Sequence, residues 1–554
     1  MKFTGYSRRT GTGPGRNGWP RLSASLEPPL RSELFSTDQM AEHGLVLARS
    51  HRLVAARARD PLLDRLAANE TALVDVCNLL TAAVSQGRQI TPAGEWLLDN
   101  FHLVEEQIRT ARRHLPKAYI RELPHLAQAS AAGHPRVYDI ALETIAHGDG
   151  RVDALSLSRF VAAYQTVTAL RIGELWAIPI MLRLAVIENL RRIAVRIGAG
   201  WAERDLADVW ADRMTQAAEQ DPKSLILVVA DMARSNPPMV STFVAELARR
   251  LQGRGPALAL PLSWIEQRLA EAGLTIAQLV QSENQQQAAD QVSISNSIGS
   301  LRVLGALEWR EFVETQSVVE QTLREDPGGV YGGMDFATRD RYRHATEAMA
   351  RKSAVEEGEV ARRAIELARA AAMETPAGAD ARASHVGYYL IGEGRAQLEL
   401  RVQVRRSPLA AARRALGRSP LPVYLGGIVL LTALIAAVLL TGMPIAEMPR
   451  WAWAPIGVLA VLAASQLAGA LVNWFSSLLV TPHPLPRMDF SQGIPPQART
   501  LVVVPTLLTS TSGVEALVEA LEVRFLANRD AHLHFGLLTD FADAEQEALA
   551  EDAA

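Results

Sequence analysis

Toward the carboxyl-terminal end, two stretches of the chain carry no charge. One runs from Val423 to Met443 (VYLGGIVLLTALIAAVLLTGM); the other runs from Trp451 to Val480, with Gln466 and Asn473 among its few polar residues. At about 1.5 Å per helical residue, each is long enough to cross a hydrocarbon core ~30 Å thick. Trp451, Trp453 and Trp474 lie toward the ends of the second, where indole rings favour the headgroup zone. The pattern predicts transmembrane helices at 423–443 and 451–480, forming a hairpin. Ile172 to Leu190 looks similar, but Glu174, Arg183 and Glu188 interrupt it and Pro179 would kink it. It reads as a helix packed inside a soluble bundle.

From 38 to 400 the periodicity is helical almost throughout. Leu157, Phe160, Val161, Tyr164 and Val167 recur at three- and four-residue steps and share a face. Arg339 to Ala371 mixes Arg and Glu with an alanine-rich face, which predicts one long solvated helix. Breaks fall at Gly133-His134-Pro135, Pro222, Pro237-Pro238, Gly253 to Pro261, Pro327-Gly328-Gly329 and Pro376 to Asp380. No internal repeat stands out.

Past the second apolar run, from Gly493 to the last residue, the period changes. Thr500 to Val504 (TLVVV) is a continuous β-branched run of the kind found in buried parallel strands, and Pro505 is expected to end it. Ser512 and Glu515 make an S-x-x-E capping box for a helix with Val514, Leu517, Val518, Leu521 and Phe525 on one face. A second strand, His532 to Thr539, ends at Asp540, and Ala542 to Ala550 reads helical. This is one β-α-β unit, so the two strands should be parallel with a right-handed crossover. The expected fold class is mainly α: a large helical region, a two-helix hairpin and an incomplete α/β unit.

Charge fixes the expected orientation of the hairpin. Arg401, Arg405, Arg406, Arg413, Arg414 and Arg418 precede the first run without an acidic residue among them, the connector holds only Glu447 and Arg450, and Arg487 and Arg499 follow the second. Positive-inside bias then leaves both termini in the cytoplasm. The segments are a disordered basic start (1–37), a cytoplasmic helical region (38–400), an arginine-rich juxtamembrane stretch (401–422), the two spans, and the β-α-β segment (493–554). With 554 residues and a net charge of −3, nothing in the balance suggests a nucleic-acid partner. The first ~25 residues lack an apolar core, so they are no signal peptide. One cysteine, Cys77, excludes an intramolecular disulfide framework and a cysteine-cluster metal site.

Three polar groups are candidates for chemistry. Asp99, His102, Glu105 and Glu106 fall within two helical turns, but their spacing is no metal-binding motif and an exposed stripe is the better reading. Asn284 to Gln287 and Gln291 to Asn296 could hydrogen-bond between helices as a polar seam. Asp540 and Asp543 follow the second strand, where ligands of open parallel sheets bind. A carboxylate there accepts hydrogen bonds from a uracil or ribose, and a second helps hold a divalent ion on a diphosphate. Asp540 could equally cap the next helix, and spacing does not separate the two.

Several longer segments carry a family resemblance: AGEWLLDNFHLVEEQIR (93–109), YIRELPHL (119–126), PRVYDIALETIAHGDGR (135–151), IGELWAIPIMLRLAVIENLRR (172–192), NQQQAADQVSISNSIGSLR (284–302), MDFATRDRYRHATE (334–347) and HVGYYLIGEGRAQLE (385–399). They resemble the N-terminal portion of the cyclic β-1,2-glucan synthases, very large bacterial inner-membrane enzymes. LVVVPTLLTS and LHFGLLTDFADA look like the opening of that family's cytoplasmic glycosyltransferase domain, of GT-A type. The resemblance implies glucosyl transfer from UDP-glucose to the 2-hydroxyl of a growing β-glucan, with a divalent metal (Mg or Mn) on the diphosphate. Only Asp540 and Asp543 carry over, as nucleotide-sugar-binding residues; the later motifs that hold the metal, supply the base and grip the acceptor do not occur here. The expectation is therefore the front portion of a synthase, catalytically incomplete as this chain. Its implied partners are the bilayer, UDP-glucose, β-glucan and the rest of the synthase. The alternative is a membrane-anchored helical scaffold or regulator without catalysis of its own, or a sensor signalling through the helical bundle.

Overall fold

A computed structural model describes residues 27–54, 62–127, 133–374, 381–405, 419–442, 449–479, 484–541 and 543. The chain divides into two compact units, Met1–Val318 and Val319–Ala554.

The first unit is built on one helix of 49 residues, Ile172–Gln220. From Ile172 to Gly198 nearly every side chain of this helix is buried, which is why its sequence is apolar on all sides. Arg136–His147, Leu62–Ser85, Phe101–His114 and Ile276–Ala306 pack around it. The stretch that mimics a membrane span is thus the core of a helical bundle, and Pro179 is taken up within a continuous helix. The lower half of the same helix supplies Ala207, Trp210, Ala211 and Met214 to a second core with Leu225, Val229, Phe243 and Leu247. Thr37–Ser50 lies against Ala154–Gln165 so closely that a Cβ on Gly44 would stand 2.8 Å from the Phe160 carbonyl oxygen.

The expected polar seam exists, carried more by serines than by glutamines. Asn189 Nδ2 donates to Ser293 Oγ (3.3 Å) and Ser297 Oγ (3.2 Å) of Ile276–Ala306, and Asn296 Nδ2 donates to the Asp149 carbonyl (3.1 Å). Ser300 Oγ both donates to the Gly150 carbonyl and accepts from Val152 N–H, each at 2.8 Å. Gly150 makes this turn possible, with φ at +80° and no room for a Cβ beside Ser297 Oγ. Asn284 and Gln285 are exposed.

In the second unit, Arg339 to Ala371 is not one solvated helix. It forms Phe336–Ala350 and Glu357–Glu374, separated by a turn, and it is not solvated throughout, since Tyr342 and Arg343 are buried. Arg343 Nη1 meets the equally buried Glu320 at 2.6 Å, and Tyr331 Oη donates to the same carboxylate at 2.7 Å.

Pro420–Thr441 and Trp453–Leu479 are long and apolar enough to cross a membrane. They pack on each other through small residues, Ala436 on one and Ala460, Ala464 and Ala468 on the other, while Leu430, Leu434, Val438, Leu459 and Leu462 face outward. Tyr424 Oη donates to Asn473 Oδ1 at 2.6 Å, so the helices run antiparallel. Most of the arginine run (406–418) and the connector 443–448 lie outside the described residues. Beyond the second helix the chain returns to the segment before the first. Asp335 N–H donates to the Arg487 carbonyl (2.9 Å), and Asp489 N–H donates to the Gly333 carbonyl (2.8 Å).

Candidate functional site

Thr500–Leu508 and Leu533–Phe541 form a parallel pair in register from Thr500↔Leu533 to Leu508↔Phe541, joined by the helix Thr511–Ala527. Two boundaries differ from the sequence reading. The first strand continues through Pro505 for three more residues, which a two-stranded sheet permits because both strands are edges. The helix cap is then Ser510, not Ser512: only Thr509 and Ser510 remain to connect the elements, and Ser510 Oγ accepts from Gly513 N–H at 3.1 Å.

Alternation along the strands separates two faces. Val502, Val504, Thr506 and Leu508 are half-buried beneath the helix; Leu501, Val503, Pro505 and Leu507 are exposed. Gly536 lies over Leu501, so His534, Gly536, Leu538 and Asp540 share that open face. The face is apolar, and Asp540 stands at its carboxyl end, opposite Leu507.

Asp540 lies within the second strand, not after it, and is exposed; its Oδ1 accepts from Phe541 N–H at 2.9 Å. Asp543 is also exposed, two residues beyond the strand. Both carboxylates therefore stand at the ends of the strands with the Thr509–Ser510 connection. The alternative role for Asp540, capping a helix at 542–550, falls outside the described residues.

The other polar groups sort differently. Asp99, His102, Glu105 and Glu106 are all exposed, as a solvated stripe would be, and Asn100 divides them between two helices. Sequence reasoning missed the partners of the charges in the bundle core. Glu174 is paired bidentate with Arg136, both contacts 2.6 Å. Glu188 accepts from Arg65 (2.6 and 2.9 Å), Arg191 (2.9 Å), Arg192 (2.7 Å) and Asn69 (2.9 Å). Arg191 and Arg192, three and four residues on, were a readable signal for the second network; Arg65 was not.

No family model matches the chain. It is 33% identical over 532 residues to the cyclic beta-(1,2)-glucan synthase NdvB of Rhizobium meliloti (strain 1021). That alignment takes in 94% of this chain but only 18% of the relative, its N-terminal part. The chain therefore spans under a fifth of the length of the curated relative it matches.

Proposed function

We propose that this chain is the N-terminal portion of an inner-membrane cyclic β-1,2-glucan synthase, the part that delivers the polymerising domain to the cytoplasmic face of the bilayer. The observation that carries this reading is the 33% identity over 94% of the chain, matched to the relative's N-terminal part. In this reading UDP-glucose docks at the carboxyl ends of the two strands. Asp540 accepts hydrogen bonds from the uracil or ribose, and Asp543 would lend an oxygen to a Mg²⁺ or Mn²⁺ ion where one accompanies the diphosphate. The ion's chemistry is to neutralise the leaving diphosphate; the protein residues named here bind and orient the donor. Transfer of glucose to the 2-hydroxyl of the growing β-glucan needs the remainder of the synthase, with its base and acceptor grip.

Membranes carrying this chain, photolysed with a photoreactive UDP-glucose analogue, test the reading. The expected result is labelling near residues 500–543 that UDP competes away and Asp540→Ala weakens. Labelling that UDP does not displace would overturn the docking site. Incorporation of labelled glucose into glucan by this chain alone would overturn its incompleteness.

A further inference from the structure

Away from the β-α-β segment, three metal-ligating side chains converge in the first unit. His43 comes from Thr37–Ser50; Glu143 and His147 lie one turn apart on Arg136–His147. Their ligand atoms all lie within 4.8 Å of one another. His43 Nε2 is 2.8 Å from Glu143 Oε2, and His147 Nε2 is 3.3 Å from the same oxygen. Two donors bound tetrahedrally to one ion at about 2.0–2.1 Å stand about 3.3 Å apart, so the His147–Glu143 separation is that of a coordination shell and the His43–Glu143 pair is closer still.

The hydrogen bonding around His147 points the same way. Its Nδ1 lies 2.7 Å from the Glu33 carbonyl oxygen, which can only accept, so Nδ1 carries the proton. In the neutral ring Nε2 is then a lone pair, and it faces a carboxylate oxygen. Two acceptors at 3.3 Å repel; a cation between them converts the repulsion into coordination. A histidine whose second nitrogen is held by a backbone carbonyl is the usual arrangement of a metal ligand. Phe35 stacks on the His147 ring at 3.8 Å with planes 8° apart, and Phe160 lies nearly parallel to His43 at 6.1 Å, so both imidazoles are fixed by aromatic neighbours. The three side chains are only partly exposed (23%, 30% and 11%), and His147 also lines a cavity of about 510 Å³.

We propose that His43, Glu143 and His147 form a binding site for a divalent transition-metal ion of the zinc class. Two imidazoles and one carboxylate favour such an ion over Mg²⁺ or Mn²⁺, which take oxygen shells. The site is therefore separate from any ion on a sugar-nucleotide diphosphate. A bound ion would join the first helix, the Leu30–Phe35 segment and Arg136–His147, where Ser32 N–H and Phe35 N–H already donate to the Ala146 and His147 carbonyls.

The test uses the full chain in detergent, purified without a histidine tag, treated with chelator, re-loaded with Zn²⁺ and dialysed. The expected result is a stoichiometric zinc ion retained by the wild type and lost in the double variant His43→Gln, His147→Gln, with helical circular dichroism unchanged. Because the variant could fail to fold, the wild type is also treated with diethylpyrocarbonate and mapped by mass spectrometry. Zinc should block modification of both His43 and His147 while leaving exposed His102 reactive. Zinc retained equally by variant and wild type overturns the proposal. So does modification of His43 and His147 that zinc does not slow, which would leave a protonated His147 paired with Glu143.

Discussion

At the residue scale, Glu188 shows how this bundle tolerates charge inside it. Burial alone would raise its carboxyl pKa, but hydrogen bonds from Arg65 and Arg192 and the charge of Arg191 outweigh burial and hold it well below the usual range. Removing the carboxylate would leave three guanidinium groups crowded around one buried position. Glu188→Ala should therefore cost about 3–5 kcal/mol, the range for breaking a buried ion pair from one side. Chemical denaturation of the chain in detergent, followed by helical circular dichroism, measures it; a loss under 1 kcal/mol by that measurement would show the network to be slack. The pH dependence has a definite sign. A folded value below the unfolded one, about 4.3, means the contribution is full above that pH and falls away as pH drops below it. In the sequence Glu188 was read as an interruption of an apolar run. Its Arg65 partner lies 123 residues away, where no local period can reach.

At the scale of elements, those whose burial follows one period were legible, and those organised by a single buried polar side chain were not. The hairpin helices and the β-α-β order follow from apolar run length and period, as does the buried stretch 172–190, which the structure extends to Gln220. Arg339 to Ala371 failed because arginine reads as solvent-facing, while Arg343 is buried against Glu320. Likewise, two residues suited to cap a helix stood close together, and the true cap was decided by where the preceding strand ended. The hairpin has a testable packing logic. Its inner seam is alanine, which lets two apolar helices approach where lipid offers no hydrophobic drive. Ala464→Leu should push them apart. A disulfide between Gly427→Cys and Val472→Cys, whose positions adjoin, would form in the parent and be lost in the Ala464→Leu background. Undiminished cross-linking would show that the alanines do not set the spacing. Cys77 is buried in the bundle, so introduced cysteines are read cleanly.

At the scale of the whole molecule, the pairing of 333–335 with 487–489 requires that the two ends of the hairpin lie on one side of any membrane it crosses. Positive-inside bias, read from the arginines before the first helix, predicts that this side is the cytoplasm. A reporter that fluoresces only in the cytoplasm, fused after Ala554, should be active, whereas a periplasmic phosphatase fused there should be silent; the reverse would invert the topology. Of the two candidate carboxylates, the β-α-β order gave the end of the sheet where they lie, and both are exposed there. Strand length and the cap were not legible, because Pro505 was read as a terminator. That proline has a consequence for how the sheet can grow. Thr500 N–H bonds to the His532 carbonyl, so by alternation the Pro505 position turns its backbone toward the free edge of its strand. A strand docking along that edge would find donors at Leu501 and Val503 and none at Pro505. The zip would stop there, and the sheet would fork three residues before its strands end, between the incoming strand and Pro505–Leu508.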